Sequence, residues 1–221
     1  MAHHQNCFLC KHSLPEWRLL IEAEAKIQTY KKGEPIFKVG ENSKGFYFIH
    51  EGRVKIHKKW KNNRDLILKF AGEGDILGHR GMLDAKHPVS ATAIGKITLC
   101  FISAEFFRTT LMVNHQLAYQ MVLFFADELH KVEQSMWNMV HKDVKSRITE
   151  ALYTIQEMFG VDKEGYINSS LSKQDIAAYA GTTYESLFKT LNEWKTDGSI
   201  DLLDKKIAIR KQLGLKELTV E

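Results

Sequence analysis

The chain has 221 residues, of which 44% are hydrophobic and 26% charged, a composition typical of a globular protein with one large domain or two modest ones. It does not open with a charged segment followed by an apolar one, and its longest apolar runs, such as residues 121–126, are far too short to cross a bilayer, so we expect a cytoplasmic protein. The net charge of +4 is only a weak indication of a polyanionic partner, and an odd number of cysteines, three, argues against a disulfide scaffold.

Short apolar stretches alternate with glycines over residues 30–103. Nine glycines fall between positions 33 and 95. Short strands separated by frequent glycine turns predict an all-β barrel of the jelly-roll (double-stranded β-helix) type. The apolar stretches are 35–37, 46–49, 54–56, 66–68, 76–77 and 97–102.

Helical spacing replaces this pattern from Ser103 to about Phe159, with a possible break near His141. Apolar residues recur there at alternating intervals of three and four, which is the spacing of a coiled-coil seam and favours a dimer interface. A helix packed on its own domain is the alternative. Polar residues between the seam positions, Glu128 among them, are expected to face solvent. The seam residues are Val122, Phe125, Leu129, Val132, Met136 and Met139.

The last 60 or so residues have the pattern of a winged helix-turn-helix. Ser172 and Asp175 have the spacing of a capping box, and Gly181 falls where a tight turn needs a left-handed residue. A second helix is expected to start near Thr182 or Thr183, and residues 200–210 read as a hairpin, the wing. Together with the barrel and the long helix, this predicts an α+β protein.

The second helix of a helix-turn-helix places its first residues at the base edges of the major groove. The predicted DNA-binding residues on that helix are Thr183, Tyr184, Glu185, Phe188 and Lys189, and those at the start of the preceding helix are Ser172, Lys173 and Gln174.

Four points leave room for other readings of this segment. Glu185 is also placed to complete a capping box with Thr182, and Phe188 could belong to the core. Small helix-turn-helix units also bind proteins. Residues 141–221 contain twelve Lys and Arg against thirteen Asp and Glu, a net charge of −1, which counts against DNA binding.

The order of barrel, long helix and winged helix resembles the Crp/Fnr family over nearly the whole chain. Besides the helix-turn-helix, four short stretches resemble signatures of the family. These are Gly33-Glu34-x-Ile36-Phe37, Glu51-Gly52-Arg53-Val54-Lys55, Gly74-Asp75-Ile76-Leu77-Gly78 and Asp143-Val144-x-x-Arg147-Ile148.

The resemblance implies a dimeric regulator that binds two DNA half-sites and reads a small-molecule or redox signal in its barrel. It also implies that Glu185 and Lys189 contact bases. The expected domains are the N-terminal segment and sensor barrel (1–113), the dimerisation helix (114–141) and the winged helix-turn-helix (142–221).

Cyclic-AMP binders of this family hold their ligand with a Gly-Glu pair and, about ten residues on, an Arg-Ser pair. The matching positions are Gly78-His79 and Val89-Ser90, so two anchoring side chains are replaced. A buried phosphate without its arginine is costly, and the sequence therefore argues against cyclic AMP. Arg80 offers another anion contact, unless it is a surface arginine. The candidate effector pocket is Gly78, His79, Arg80, Val89, Ser90 and Ala91.

The cysteines match part of a second family pattern. Oxygen-sensing Fnr proteins hold an iron–sulfur cluster with three N-terminal cysteines and one in a late barrel strand, and Cys7, Cys10 and Cys100 match three of the four positions. A fourth ligand would have to come from His12 or Glu16. The alternatives are a buried strand cysteine with a free N-terminal pair, or a zinc site completed by the nearby His3, His4 and His12.

These readings converge on a homodimeric DNA-binding regulator that recognises an inverted repeat, with RNA polymerase as a further partner. No catalytic signature is present, so we expect no enzyme. Two rivals remain at this stage. One is a cyclic-nucleotide-type binding module acting on a protein partner, and the other is a constitutive DNA binder whose barrel takes no ligand.

Overall fold

The computed structural model describes residues 7–59, 65–82 and 85–214. Their contacts divide the chain into two compact units. The first runs to residue 58 and resumes from 68 to 131, and the second takes in the rest, chiefly from 132 onward. The predicted α+β architecture is confirmed: jelly-roll sheets come first, then a long helix, then a winged helix-turn-helix.

Two four-stranded sheets form the barrel, in the orders β1-β8-β3-β6 and β2-β7-β4-β5. The two central pairings, β3 with β8 and β4 with β7, are antiparallel. The strands are β1 (Lys26–Tyr30), β2 (Pro35–Phe37), β3 (Gly45–Glu51), β4 (Val54–Lys59), β5 (Asp65–Ala71), β6 (Ile76–Leu77), β7 (Ser90–Ala93) and β8 (Ile97–Ser103).

Strand β8 is apolar almost throughout because both of its faces are covered. Ile97 and Leu99 are buried in the barrel core, together with Ile49, Val54 and other residues of both sheets. Ile102 and Cys100 point the other way, into a second apolar cluster with Phe46, Phe48 and Phe107. A strand buried on both faces loses the polar alternation of a solvent-facing strand.

Among the described residues, two short α-helices precede the barrel strands, and the helical stretch that begins near Ser103 consists of separate helices. The helical stretch is interrupted at Asn114, whose side-chain oxygen accepts a hydrogen bond from the Leu117 N–H at 3.0 Å. The break near His141 is confirmed, since Asp143 caps the next helix. The helices are α1 (Phe8–His12), α2 (Arg18–Glu24), α3 (Ala104–Val113), α4 (His115–His141) and α5 (Val144–Phe159).

The winged helix-turn-helix follows the local signals of its sequence. Ser172 and Asp175 form the predicted capping box, and Gly181 takes the left-handed conformation at φ 59°. The elements are α6 (Lys173–Tyr179), α7 (Tyr184–Thr196), β9 (Ile200–Leu203) and β10 (Lys206–Ile209). In the part of the chain that the structure covers, no helix is both long enough and apolar enough to span a membrane.

Candidate functional site

Helix α7 buries one face and leaves the predicted DNA-reading face in solvent. Leu187 and Leu191 are fully buried, and Tyr184, Glu185, Phe188 and Lys189 are all exposed. The rings of Tyr184 and Phe188 stack on each other with centroids 6.0 Å apart. Phe188 is 45% exposed, so its assignment to the core is wrong. At positions 184, 185, 188 and 189, the four side chains lie on one face of the helix.

The N-cap of α7 shows whether Glu185 forms a capping box with Thr182. Thr183 is the N-cap, and its hydroxyl accepts a hydrogen bond from the Ser186 N–H at 3.1 Å. Thr182 is therefore not the cap, and a capping box between Thr182 and Glu185 is wrong. Thr183 itself is half-buried and engaged in capping.

Three side chains at the start of α6 are predicted to contact phosphate, and one of them, Ser172, is engaged in the helix cap. The Ser172 hydroxyl accepts from the Asp175 N–H and donates to the Asp175 carboxylate, so both of its hydrogen-bonding roles are taken up in the cap. Gln174 is exposed and Lys173 is half-buried. Those two side chains are the ones at this helix start that remain open to a backbone phosphate.

Arg147 holds the turn between α6 and α7, a role that the sequence pattern did not reveal. Its guanidinium donates to the Ala180 carbonyl at 3.2 Å and to the Lys142 carbonyl at 2.7 Å. One side chain thus ties the turn to the start of α5. The Ala180 carbonyl, next to Gly181, thereby gains a hydrogen-bond partner.

Several cations of the winged unit are paired with acidic residues. Lys145 lies 2.6 Å from Glu193 and lowers the pKa of that carboxyl. Lys206 lies 2.7 Å from Asp162, on the wing side. Lys189 lies on the exposed face of α7, and its charge also helps to lower the pKa of Glu193.

The barrel contains a pocket at the place where the sequence predicts an effector. Gly78, His79, Arg80 and Val89 line it as expected. Ser90 and Ala91 do not: the Ser90 hydroxyl accepts from the Val39 N–H at 3.0 Å, and Ala91 is buried in the core. The lining residues that the sequence missed are Phe37, Ile56, Lys69, Ile76, Leu77, His87 and Pro88.

The pocket is narrow and mostly apolar. The space that admits the centre of a water molecule is about 10 Å³, roughly room for one water. On one side the His87 and Phe37 rings stack, with centroids 3.8 Å apart and planes at 13°. Burial lowers the pKa of His87, which favours the neutral ring.

Two cations that line the pocket, Lys69 and Arg80, pair with a carboxylate of α4. Glu128 of α4 accepts a hydrogen bond from Lys69 at 2.7 Å and lies 3.5 Å from the Arg80 guanidinium. Its side chain is 9% exposed, so the expectation that Glu128 faces solvent is wrong. Burial alone would raise the pKa of this carboxyl, but the neighbouring His79 and Lys69 outweigh it and hold that pKa far below its ordinary value.

His79 is held beside this carboxylate without reaching it. Its Nδ1 lies 3.1 Å from the Ile76 carbonyl, and its Nε2 lies 3.7 Å from Glu128 Oε2, too far for a hydrogen bond. The residue is 7% exposed, and Nε2 has no hydrogen-bond partner among the described residues. Such a buried ring nitrogen is an available partner for a ligand.

The three cysteines pack against one apolar cluster, that of Phe46, Phe48 and Phe107. A hydrogen bond from Cys10 lowers the pKa of the Cys7 thiol to about 6, and burial raises that of Cys100 to about 12. Within the described residues, no three His, Cys, Asp or Glu side chains are grouped to hold a metal ion. His3 and His4 lie outside those residues.

This donor set does not fit an iron–sulfur cluster held by four thiolates, because the chain has only three cysteines. A metal held by Cys7, Cys10 and Cys100 stays a prediction.

The predicted seam of α4 forms two exposed rows along the helix. Val122, Leu129 and Met136 make one row and are each 60–65% exposed. The side chains of the second row are less exposed, at 40–43% each. That row consists of Phe125, Val132 and Met139.

Known proteins resemble the chain in both halves. Residues 27–114 match the family model of the cyclic nucleotide-binding domain, and residues 146–218 match that of the Crp-like helix-turn-helix domain. The first match contains the barrel pocket, and the second contains α6, α7 and the wing.

Individual relatives extend over most of the chain. The CRP-like cAMP-activated global transcriptional regulator of Mycobacterium tuberculosis is 24% identical over 183 residues, 81% of this chain and 82% of the relative. The fumarate and nitrate reduction regulatory protein of Escherichia coli K12 is 24% identical over 214 residues, 95% of this chain and 84% of that protein.

The solved structure of FixK2 from Bradyrhizobium japonicum shares the fold, with a TM-score of 0.73 at 23% identity, over 89% of this chain and 98% of FixK2. Barrel, long helix and winged helix thus occur in the same order in the chain and in its relatives. The chain is therefore a DNA-binding transcription regulator of the Crp/Fnr family and not an enzyme.

Proposed function

We propose that the chain acts as a homodimer that binds an inverted-repeat DNA site and responds to an effector other than cyclic AMP. The observation that carries the proposal is the exposed face of α7. Glu185 can accept from a cytosine amino group, Lys189 can donate to guanine or phosphate, and the stacked Tyr184–Phe188 pair can contact a thymine methyl.

The exposed rows of α4 support the dimer. A helix that leaves Val122, Leu129 and Met136 mostly exposed, at intervals of seven, has the seam of a two-stranded coiled coil. A second copy of α4 would cover both rows. The twofold axis then sets two α7 helices about 34 Å apart, one turn of DNA, which accounts for an inverted repeat.

The pocket supports an effector different from cyclic AMP. Val89 lines it at the position where the family's cyclic-AMP binders carry arginine, and His79 replaces their glutamate. On this account the signal moves the connection between α4 and α5, at His141–Asp143, and reorients the winged unit. The protein is then a cytoplasmic regulator, with RNA polymerase as a further partner and with domains at 1–113, 114–141 and 142–221.

Selection of bound DNA from a random pool tests the DNA-reading face. The wild-type chain should enrich an inverted repeat, and the double variant Glu185→Ala/Lys189→Ala should lose that preference by about 2–6 kcal/mol, at about 1–3 kcal/mol for each base contact. Lys195→Ala is the matched control, because Lys195 is exposed further along the same helix. Equal enrichment by the double variant and by the control would contradict the assignment.

A further inference from the structure

The cations on the polar side of the barrel pocket already have an anionic partner, and that partner belongs to the chain. Lys69 and Arg80 both line the pocket, and both direct their charge to the Glu128 carboxylate of α4. Glu128 follows Leu117 and Met121 on the buried face of that helix. The same helix that carries the exposed seam therefore brings the carboxylate to two cations of the pocket.

The Glu128 carboxylate does not satisfy all the N–H donors of Lys69 and Arg80. Lys69 has three N–H donors and Arg80 has five, and Glu128 is the partner that both share. The Arg80 contact is long, at 3.5 Å. His79 Nε2, buried and without a hydrogen-bond partner in the described chain, lies 3.7 Å from the same oxygen. A phosphate or carboxylate with freedom to adjust could satisfy these groups better than a carboxylate fixed on a helix.

We propose that the Glu128 carboxylate competes within the chain with the acidic group of the effector for the same cations. The effector is a small molecule with a single phosphate or carboxylate on an apolar or flat body, and its acidic group displaces Glu128 from Lys69 and Arg80. This inference rests on the proposed function and names the ligand class of the same pocket. Displacement frees α4 at a point between the seam residues Phe125 and Leu129, so it changes how the helix is held on the barrel.

The rest of the lining selects the body of the ligand. Ile56, Ile76, Leu77 and Val89 present apolar side chains, and the stacked pair of His87 and Phe37 offers a flat surface. The pocket has about 10 Å³ of free space as it stands, so a ligand must move side chains to enter. Removal of the Glu128 contacts gives the acidic group a place beside Lys69 and Arg80.

Calorimetric titration of the full chain, at constant ionic strength, tests this competition without DNA. The probes are phenyl phosphate and benzoate, with benzyl alcohol as their uncharged counterpart. Glu128→Gln keeps the size of the side chain and removes the competing charge. We expect it to bind at least one of the two anions about tenfold more tightly than wild type does, because a charge-assisted hydrogen bond no longer has to be broken.

Two further variants make the result specific. Glu133→Gln is the matched control, since Glu133 is an exposed glutamate on the same helix, and it should bind like wild type. Arg80→Met removes a cation that both anions need and should abolish binding, which also tests the proposal if Glu128→Gln does not fold.

The two anions separate a phosphate-bearing effector from a carboxylate-bearing one, and preference for either supports the proposal. It is overturned if Glu128→Gln binds neither anion more tightly than wild type, if benzyl alcohol binds as well as the anions, or if Arg80→Met binds unchanged. Loss of DNA selectivity would show in the separate selection experiment, so the two failures can be told apart.

Discussion

Helices α4 and α7 distribute polarity in opposite ways. Helix α7 buries Leu187 and Leu191 and exposes polar and aromatic side chains, as a surface helix of a globular unit does. Helix α4 buries the charged Glu128 and exposes Leu129 and Met136. The difference teaches that α7 satisfies its apolar residues within one chain, whereas α4 does not. In the proposed function a second copy covers the apolar rows of α4, and in the further inference its buried carboxylate occupies the place of the effector's acidic group.

The largest expected effect comes from a charge in the exposed seam. Leu129→Glu should dissociate the proposed dimer, because each of the two copies loses about 1.5–3 kcal/mol of apolar burial, about 3–6 kcal/mol per dimer. Gln134→Glu, on the same helix but outside the seam, is the control. Sedimentation equilibrium measures the dissociation constant, and an unchanged constant for Leu129→Glu would remove α4 from the interface.

Substitutions on the two faces of α7 should affect different properties: stability for the buried face and DNA binding for the exposed face. Leu187→Ala leaves a cavity in the winged unit and should lower its free energy of unfolding by about 2–5 kcal/mol. Lys189→Ala, two residues on, should change that free energy by no more than about 0.5 kcal/mol while weakening DNA binding. Chemical denaturation measures both variants. Equal destabilisation would mean that the exposed face is part of the fold.

Glu128→Gln should have a smaller effect on stability, and one that depends on pH. Since the folded chain lowers the pKa of Glu128, its ion pairs add stability that is fully present above the ordinary pKa of 4.5 and is lost as the pH falls below it. At pH 6 the variant should be about 1–3 kcal/mol less stable than wild type, and the difference should shrink towards pH 3.

The comparison with the variant isolates Glu128 from other groups around it. Lys131 is paired with Asp127 on the same helix, and that pair is present in both proteins. Asp75 is likewise present in both proteins, so its contribution cancels in the difference between them. Denaturation curves at several pH values supply the measurement, and a difference that does not change with pH would contradict the ion pairs.

Local signals made the winged unit predictable. The Ser172–Asp175 capping box, the left-handed Gly181 and the exposed face of α7 depend on residues within a few positions of each other. The polar side of the pocket depends on residues 59 positions apart, since Lys69 meets Glu128 only when α4 lies along the barrel. That pairing could not be read from local spacing.

Part of the missing information was nevertheless present in the sequence. Leu117, Met121, Phe124 and Glu128 recur at intervals of four, three and four, a second row beside the seam, and that row ends on the carboxylate. Asn114 is also a good helix N-cap, and it marks the start of α4 in a stretch without glycine or proline. A search for a second row would have predicted a buried face for Glu128.

Hydroxyl-radical footprinting on the DNA enriched by the chain tests the central claim most directly. A dimer that presents two α7 helices predicts two protected segments related by a twofold axis, with centres about 10 base pairs apart. Glu185→Ala/Lys189→Ala should remove both segments together. A single protected segment, or protection that persists in the double variant, would contradict the account.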